Sequence, residues 1–319
     1  MKTIAFFNHK DGVGKTTLLY HLAWMYADLG LRVIAVDLDP QCDLSSMFLE
    51  VDRLDEIWNQ GEDTESISAA LRPLIEGTGG VAEVHVEMIT QNFGLIVGNL
   101  SLSKMEDEFC CDGKERALRF TSAFFRVVQM ASKQFDADLV LIDVGSNLGA
   151  INRSAVLSAD YVVIPIVPDV FSLRGLRDAG ATLRNWRTQW ESGQDHIPSG
   201  TMKAAGYILM QYSSQASHSA KGFLFWSQEI PFEYRRSVLG LSEANEASQT
   251  DPNCLAVLKR YPTMMSMAME ARKPVFHLTP YDGAIGSHSA AVRDCYADFK
   301  RLAQTLAAKC DLALPVSQR

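Results

Sequence analysis

Ten residues, Asn8-His9-Lys10-Asp11-Gly12-Val13-Gly14-Lys15-Thr16-Thr17, carry the densest chemistry in this chain. An apolar run, Ile4-Ala5-Phe6-Phe7, precedes them, and a helix-forming run from Leu18 to Leu29 follows. Strand, glycine turn, Gly-Lys-Thr and helix is the layout of a phosphate-binding loop. Gly12 and Gly14 free the backbone to aim N–H groups at a polyphosphate, and the helix N-terminus adds partial positive charge. Lys15 would reach the outer phosphates, while the Thr16 hydroxyl would ligate Mg²⁺. Asp11, Gly12, Val13, Gly14, Lys15, Thr16 and Thr17 are therefore the expected nucleotide-binding residues.

Three further apolar runs end in acids. Arg32 to Val36 leads into Asp37-Leu38-Asp39-Pro40-Gln41, Leu139 to Ile142 into Asp143, and Tyr161 to Val167 into Pro168-Asp169. A single acid at a strand end is equally well a solvated turn; Asp37, Asp39, Asp143 and Asp169 in this order after the glycine loop are a far more specific pattern. The loop lacks the first glycine of the common form, with His9 in its place, and has a second lysine, Lys10, five residues before Lys15. In these features the chain resembles the ParA/MinD superfamily of partition and positioning ATPases, whose loop reads K-G-G-x-G-K-T. The resemblance is good over about 1–50 and 136–212 and looser elsewhere.

The resemblance implies an ATPase using ATP and Mg²⁺. Lys10 would cross a nucleotide-sandwich homodimer to the partner's phosphates, Asp39 would orient the attacking water, and Asp37 and Asp143 would serve the metal with Thr16. Glu229-Ile230-Pro231 looks like the family's I-P-R element, placing Pro231 near the adenine; Gln211 is either a base contact or a satisfied strand end. Asp11 stands where the family has glycine and adds negative charge beside the γ-phosphate. We expect it to impair hydrolysis or dimer closure unless the carboxylate turns to solvent or to Lys10.

These residues need strand ends to hold them. Apolar β-branched runs alternate with amphipathic stretches, the pattern of an α/β doubly wound, mostly parallel sheet with helices on both faces. We expect strands near 3–7, 32–37, 93–97, 139–143, 161–166 and 205–210, and helices near 15–29, 115–134, 147–158, 172–190 and 287–308. Asn147 is the expected cap of the third helix. The whole of 1–319 reads as one ATPase domain with elaborations at about 51–113 and 213–262. Within the latter, 238–262 reads as an insertion that separates the I-P-R element from Lys273-Pro274-Val275.

Hydrophobic content of 47% suits a large core. The six cysteines have no C-x-x-C spacing and the seven histidines no zinc spacing, which weighs against an iron–sulfur relative and suits reduced thiols in the cytoplasm. A strand starting at Lys2 leads us to expect neither a signal peptide nor an N-terminal DNA-reading domain. The final helix lacks a basic rim and ends at Pro315, so no membrane anchor is expected.

The net charge of −8 opposes general polyanion binding, but charge is local. Arg174, Arg177, Arg184 and Arg187 share a helix face, and Arg272 and Lys273 belong to a second basic group. A solvated face is the ordinary alternative; within the resemblance these residues become a surface for nonspecific DNA in the ATP state, with nucleoid association. A partner protein would stimulate hydrolysis. Two other functions stay open: a protein-cargo positioning ATPase with no DNA role, and a nucleotide-binding switch disabled by Asp11.

Overall fold

The computed structural model describes residues 1–59, 63–110, 114–191, 201–212, 218–241 and 251–315. Residues 242–250 of the expected insertion and 60–62 and 111–113 of the earlier elaboration lie outside them. Eight strands form one sheet: β1 (Lys2–Phe6), β2 (Val33–Asp37), β3 (Glu87–Thr90), β4 (Phe93–Ile96), β5 (Leu139–Asp143), β6 (Tyr161–Ile166), β7 (Lys203–Tyr212) and β8 (Cys254–Lys259). Their order is β3-β4-β2-β5-β1-β6-β7-β8, parallel except for β3, which runs antiparallel to β4. The helices are α1 (Lys15–Asp28), α2 (Asp43–Phe48), α3 (Val51–Asn59), α4 (Ile67–Ile75), α5 (Leu102–Cys110), α6 (Lys114–Phe135), α7 (Ala150–Ser158), α8 (Val170–Glu191), α9 (His218–Glu233), α10 (Pro262–Ala271) and α11 (Ser287–Lys309).

Alternation along the strands builds a core on each face, because successive side chains point to opposite sides. Ile34, Val36, Val140 and Ile142 join Phe124 of α6, Ile151 of α7 and Leu176 of α8. Ile4, Phe6, Val33, Ala35 and Leu141 join Leu18 of α1 and Phe299 of α11. Strands buried on both faces therefore read as unbroken apolar runs, which is why β1, β2, β5 and β6 stand out in the sequence. Each fully buried aliphatic side chain contributes about 1.5–3 kcal/mol.

The chain leaves β1 toward β2 on one side and returns to β6 on the other, so the sheet reverses its winding beside β1. Open α/β sheets bind ligands beyond the carboxyl ends of the strands at such a point. Phe6, Asp37 and Asp143 stand level there, since Phe6 pairs with Asp143 and Asp37 with Asp143.

The segment expected as an insertion is partly sheet. Residues 254–259 form β8 and pair with β7, and α10 follows directly. Cys254-Leu255-Ala256-Val257-Leu258 of β8 is an apolar run, of which only Leu255 and Leu258 are buried at this sheet edge, and the expected insertion passed over it. α7 likewise starts differently from expectation. Asn147 Oδ1 accepts from Gly149 N and Asn152 Nδ2, whereas the Glu106 carboxylate of α5 accepts from the Ala150 and Ile151 amides. A carboxylate from another element thus caps this helix and opposes its N-terminal partial charge.

Candidate nucleotide site

The loop after β1 closes onto α1 through two left-handed residues, Gly12 (φ 70°) and Gly14 (φ 89°). Gly14 is the N-cap of α1, and a Cβ there would also press on the Met210 methyl at 3.3 Å. No side chain caps α1, so its first-turn N–H groups remain available to an anion. Lys15 is 8% exposed and lines the cleft that these groups face.

That cleft has two halves sharing Gly14 and Thr17. The polar half, about 620 Å³, is bordered by Asp11, Gly12, Lys15, Thr16, Asp39, Asp43, Ser146 and Asn147. The apolar half, about 360 Å³, is bordered by Met210, Gln211, Leu258, Tyr261, Met265, Met269 and Phe299.

Beneath the polar half lie two fully buried carboxylates. Asp37 is engaged: its Oδ2 accepts from Ser45 N (2.8 Å) and Ser45 Oγ (2.7 Å), and its Oδ1 from Asp39 N (3.2 Å). Burial, only partly offset by these bonds, still pushes its pKa up to about 7. Asp143 differs, for neither of its oxygens meets a hydrogen-bond partner among the described residues. Burial and then Asp37 hold its pKa well above the ordinary value, against the pull of Thr16 and Lys15. A buried carboxylate without partners beside a lysine and a threonine hydroxyl is a donor set for a hard divalent cation. Asp39 sits above, its Oδ1 accepting from Gln41 N at 3.0 Å while it faces the cleft. Cys42, at φ 56°, turns the chain from Asp39 into α2 in a conformation that non-glycine residues seldom adopt.

Lys10 does not reach Asp11. Its ammonium pairs with Asp169 and lies 3.2 Å from Ser172 Oγ at the start of α8, and its own N–H donates to Asn8 Oδ1. The Asp11 carboxylate is exposed and has no partner among the described residues. His9 Nδ1 lies 2.8 Å from the Ser146 carbonyl oxygen, linking the phosphate loop to the turn after β5.

On the base side, Gln211 lines the apolar half: it takes a left-handed φ of 64°, and its Nε2 donates to the Gly12 carbonyl. Pro231 is a correction. It lies inside α9 behind the fully buried Ile230, its carbonyl accepts from Arg235, and it lines neither half of the cleft. Leu258-Lys259-Arg260-Tyr261-Pro262 occupies the base side instead. Sequence reading missed β8, Met210, Met265, Met269, Phe299 and Asp43; Pro262, at the first position of α10, was the available signal for that helix.

The basic residues are largely engaged within the chain. Arg177 pairs with Glu233 at 2.7 Å, Arg184 donates to the Arg236 carbonyl at 2.8 Å, and Arg187 donates to the Met202 carbonyl. Arg272 donates to the Leu49 carbonyl and pairs with Glu50, and Lys273 pairs with Asp282 at 2.8 Å. Arg174 is exposed and has no partner among the described residues. Among the described residues, no helix is long and apolar enough to cross a membrane.

Comparison with known proteins bears on the family and the fold. Residues 1–193 match the family described as an AAA domain. Protein IncC of Escherichia coli is 32% identical over 193 residues, 59% of this chain and 47% of IncC. The chain thus spans about half the length of that relative. A solved structure from Corynebacterium diphtheriae superposes with a TM-score of 0.70 at 21% identity, covering 97% of this chain and 98% of the other. A plasmid partition protein from Borrelia burgdorferi B31, solved with AMPPNP bound, gives a TM-score of 0.61 at 15% identity, covering 97% and 99%. With its second lysine and its strand-end acids, the chain belongs to the AAA-domain family of P-loop ATPases, in the ParA/MinD-type group.

Proposed function

We propose that this protein is an ATP- and Mg²⁺-dependent partition ATPase whose ATP state is a sandwich homodimer that binds DNA nonspecifically. The buried, unpartnered Asp143 beside Lys15 and Thr16 carries this reading, because leaving such a carboxylate bare is costly unless a cation completes it. Thr16 and Asp143 would hold Mg²⁺, with Asp37 bracing the turn that presents Asp39. The metal would neutralise charge that builds on the phosphates. The uncapped start of α1 and Lys15 bind phosphate, Asp39 orients water, and the apolar half takes the base with Gln211 at its rim.

Lys10 fits the dimer role through its place in the chain, directly before the loop residues Asp11 and Gly12 that border the cleft, and Asp169 and Ser172 hold it in reserve. Crossing to a partner's phosphates would release the start of α8, where Arg174 and Arg177 stand. DNA retention would then depend steeply on salt, through counterion release. A partner protein would accelerate the slow hydrolysis, and the protein would act in the cytoplasm on the nucleoid.

One observation favours a second function, positioning of a protein cargo without DNA. Arg177, Arg184, Arg187, Arg272 and Lys273 all have partners within the chain, which leaves Arg174 as the stripe's free cation among the described residues. Turnover, molar mass and DNA retention measured together with Mg²⁺·ATP separate the two. ATP-dependent dimers retained on DNA at low salt and released at high salt support partition. Dimers that ignore DNA at every salt leave the cargo function, and an absence of ATP binding removes both.

A further inference from the structure

His21 is fully enclosed in α1 and makes two hydrogen bonds. Its Nε2 lies 3.1 Å from the Val275 amide, which can only donate, so Nε2 accepts and the proton resides on Nδ1. Nδ1–H then donates to the Thr17 carbonyl one turn back, at 2.8 Å. The ring stacks on Phe299 of α11, with centroids 4.9 Å apart and planes at 27°, and meets Phe276 edge-on at 5.8 Å. Burial lowers the imidazole to about 4, which keeps it neutral.

Each of these contacts leads to the cleft. Thr17 borders both halves and Phe299 borders the apolar half. Val275 follows the turn that ends α10, in which Lys273 N donates to the Ala268 carbonyl, and Met265 and Met269 of α10 form the outer wall of the slot. Two outer ties lie nearby, His277–Asp28 (2.7 Å) to the end of α1 and Arg272 to the Leu49 carbonyl (3.1 Å) just after α2, but none of these four residues lines the slot.

We propose that His21 is a positioning residue for the nucleobase: it pins the end of α10 and the Phe299 ring to α1, setting the width of the apolar slot against the phosphate loop. This rests on the nucleotide function proposed above. His21 acts through Val275 and Phe299, so its loss should weaken ligands that carry a base and spare those that are phosphate alone.

The experiment measures binding of Mg²⁺·ATP and of Mg²⁺·tripolyphosphate to the wild type and to His21→Phe, His21→Gln and His21→Asn. Phenylalanine keeps the ring and strands the Val275 N–H; glutamine can still accept from it, and asparagine is too short. We expect His21→Phe to weaken ATP about tenfold with tripolyphosphate changed by less than about twofold, and His21→Gln to recover most of the loss. Should the phenylalanine form not fold, the contrast between asparagine and glutamine carries the same reading. Equal weakening of both ligands, or unchanged ATP binding in the folded variants, overturns the inference. A wild type that binds tripolyphosphate without preferring ATP, or binds neither, overturns the nucleotide function and this inference with it.

Discussion

The two halves of the cleft are built by different means. The polar half hangs from the ends of β1, β2 and β5, central strands locked between neighbours, and its chemistry lies in charged side chains at fixed register. The apolar half hangs from β7, the edge strand β8 and α10, and its wall is methionine, leucine and aromatic surface. Charge positioned by buried strands leaves a compact trace in sequence, because one lysine or one aspartate at a strand end is distinctive. A nonpolar slot leaves almost none, since its residues look like any other core. The halves should therefore respond differently to perturbation: the first through charge, the second through packing and spacing.

The largest effects should come from the polar half. Lys15→Ala removes the buried ammonium that faces the phosphates, and Asp143→Asn removes the charge at the proposed cation site. Each should lower ATP turnover by about 10²–10³-fold, the scale of losing a preorganised electrostatic group. Steady-state phosphate release with titrated Mg²⁺ checks this. The asparagine form should also lose most of its Mg²⁺ dependence, and a variant that keeps it would move the metal away from Asp143. Chelating Mg²⁺ from the wild type should match the asparagine form.

The same contrast explains what the sequence disclosed. β1, β2, β4, β5, β6 and β7 were legible as apolar runs, and α1, α6, α7, α8 and α11 by their periodicity, with ends shifted by a few residues. The two strand-end acids Asp37 and Asp143 come together in the fold because they are register partners. Pro231 was misplaced because a local Ile-Pro pair resembled the family's element, and with that pair taken as the element the apolar run of β8, Cys254 to Leu258, fell inside the expected insertion. Glu106 capping α7 was invisible for another reason: the bond spans 44 residues, and no local pattern encodes a cap supplied by a different helix. Asp43 carried no signal of its own, since a first-turn acid suits any helix; it borders the cleft and, through burial and then Asp39, is held above its usual pKa.

In the apolar half the next effect is on stability and its sign is fixed. His21 has a folded pKa of about 4 against an ordinary 6.5, so folding favours the neutral ring. The stabilisation is complete above pH 6.5 and is lost as pH falls through 4. The titratable groups nearest the ring are His277 and its partner Asp28, and Phe276, Phe299 and Tyr20 pack around it. The full window corresponds to about 3 kcal/mol. Urea midpoints at pH 7 and pH 4.5 should show a drop of that order, and His21→Gln should flatten it. An equally steep drop in the glutamine form would assign the acid sensitivity to other groups.

Asp11 sharpens the comparison at the boundary of the polar half. Its φ is not among the left-handed values of the loop, which belong to Gly12 and Gly14, so aspartate costs no backbone strain there and its effect must be electrostatic. With Lys10 held by Asp169, the exposed Asp11 carboxylate adds to Asp39 and Asp43 around a site built for phosphate. At ~4 Å and an effective dielectric of ~20 the repulsion from a phosphate charge would be about 4 kcal/mol, before Lys15 and a metal screen it. Most of that is screened, so Asp11→Gly should raise ATP turnover and ATP-dependent dimer formation about tenfold, more at low salt than at high. Asp11→Asn keeps the shape and removes the charge, and should give most of the same gain. A gain with glycine alone would make bulk at the dimer face the obstacle. No gain with either would mean that the carboxylate stays in solvent and leaves the loop's chemistry untouched.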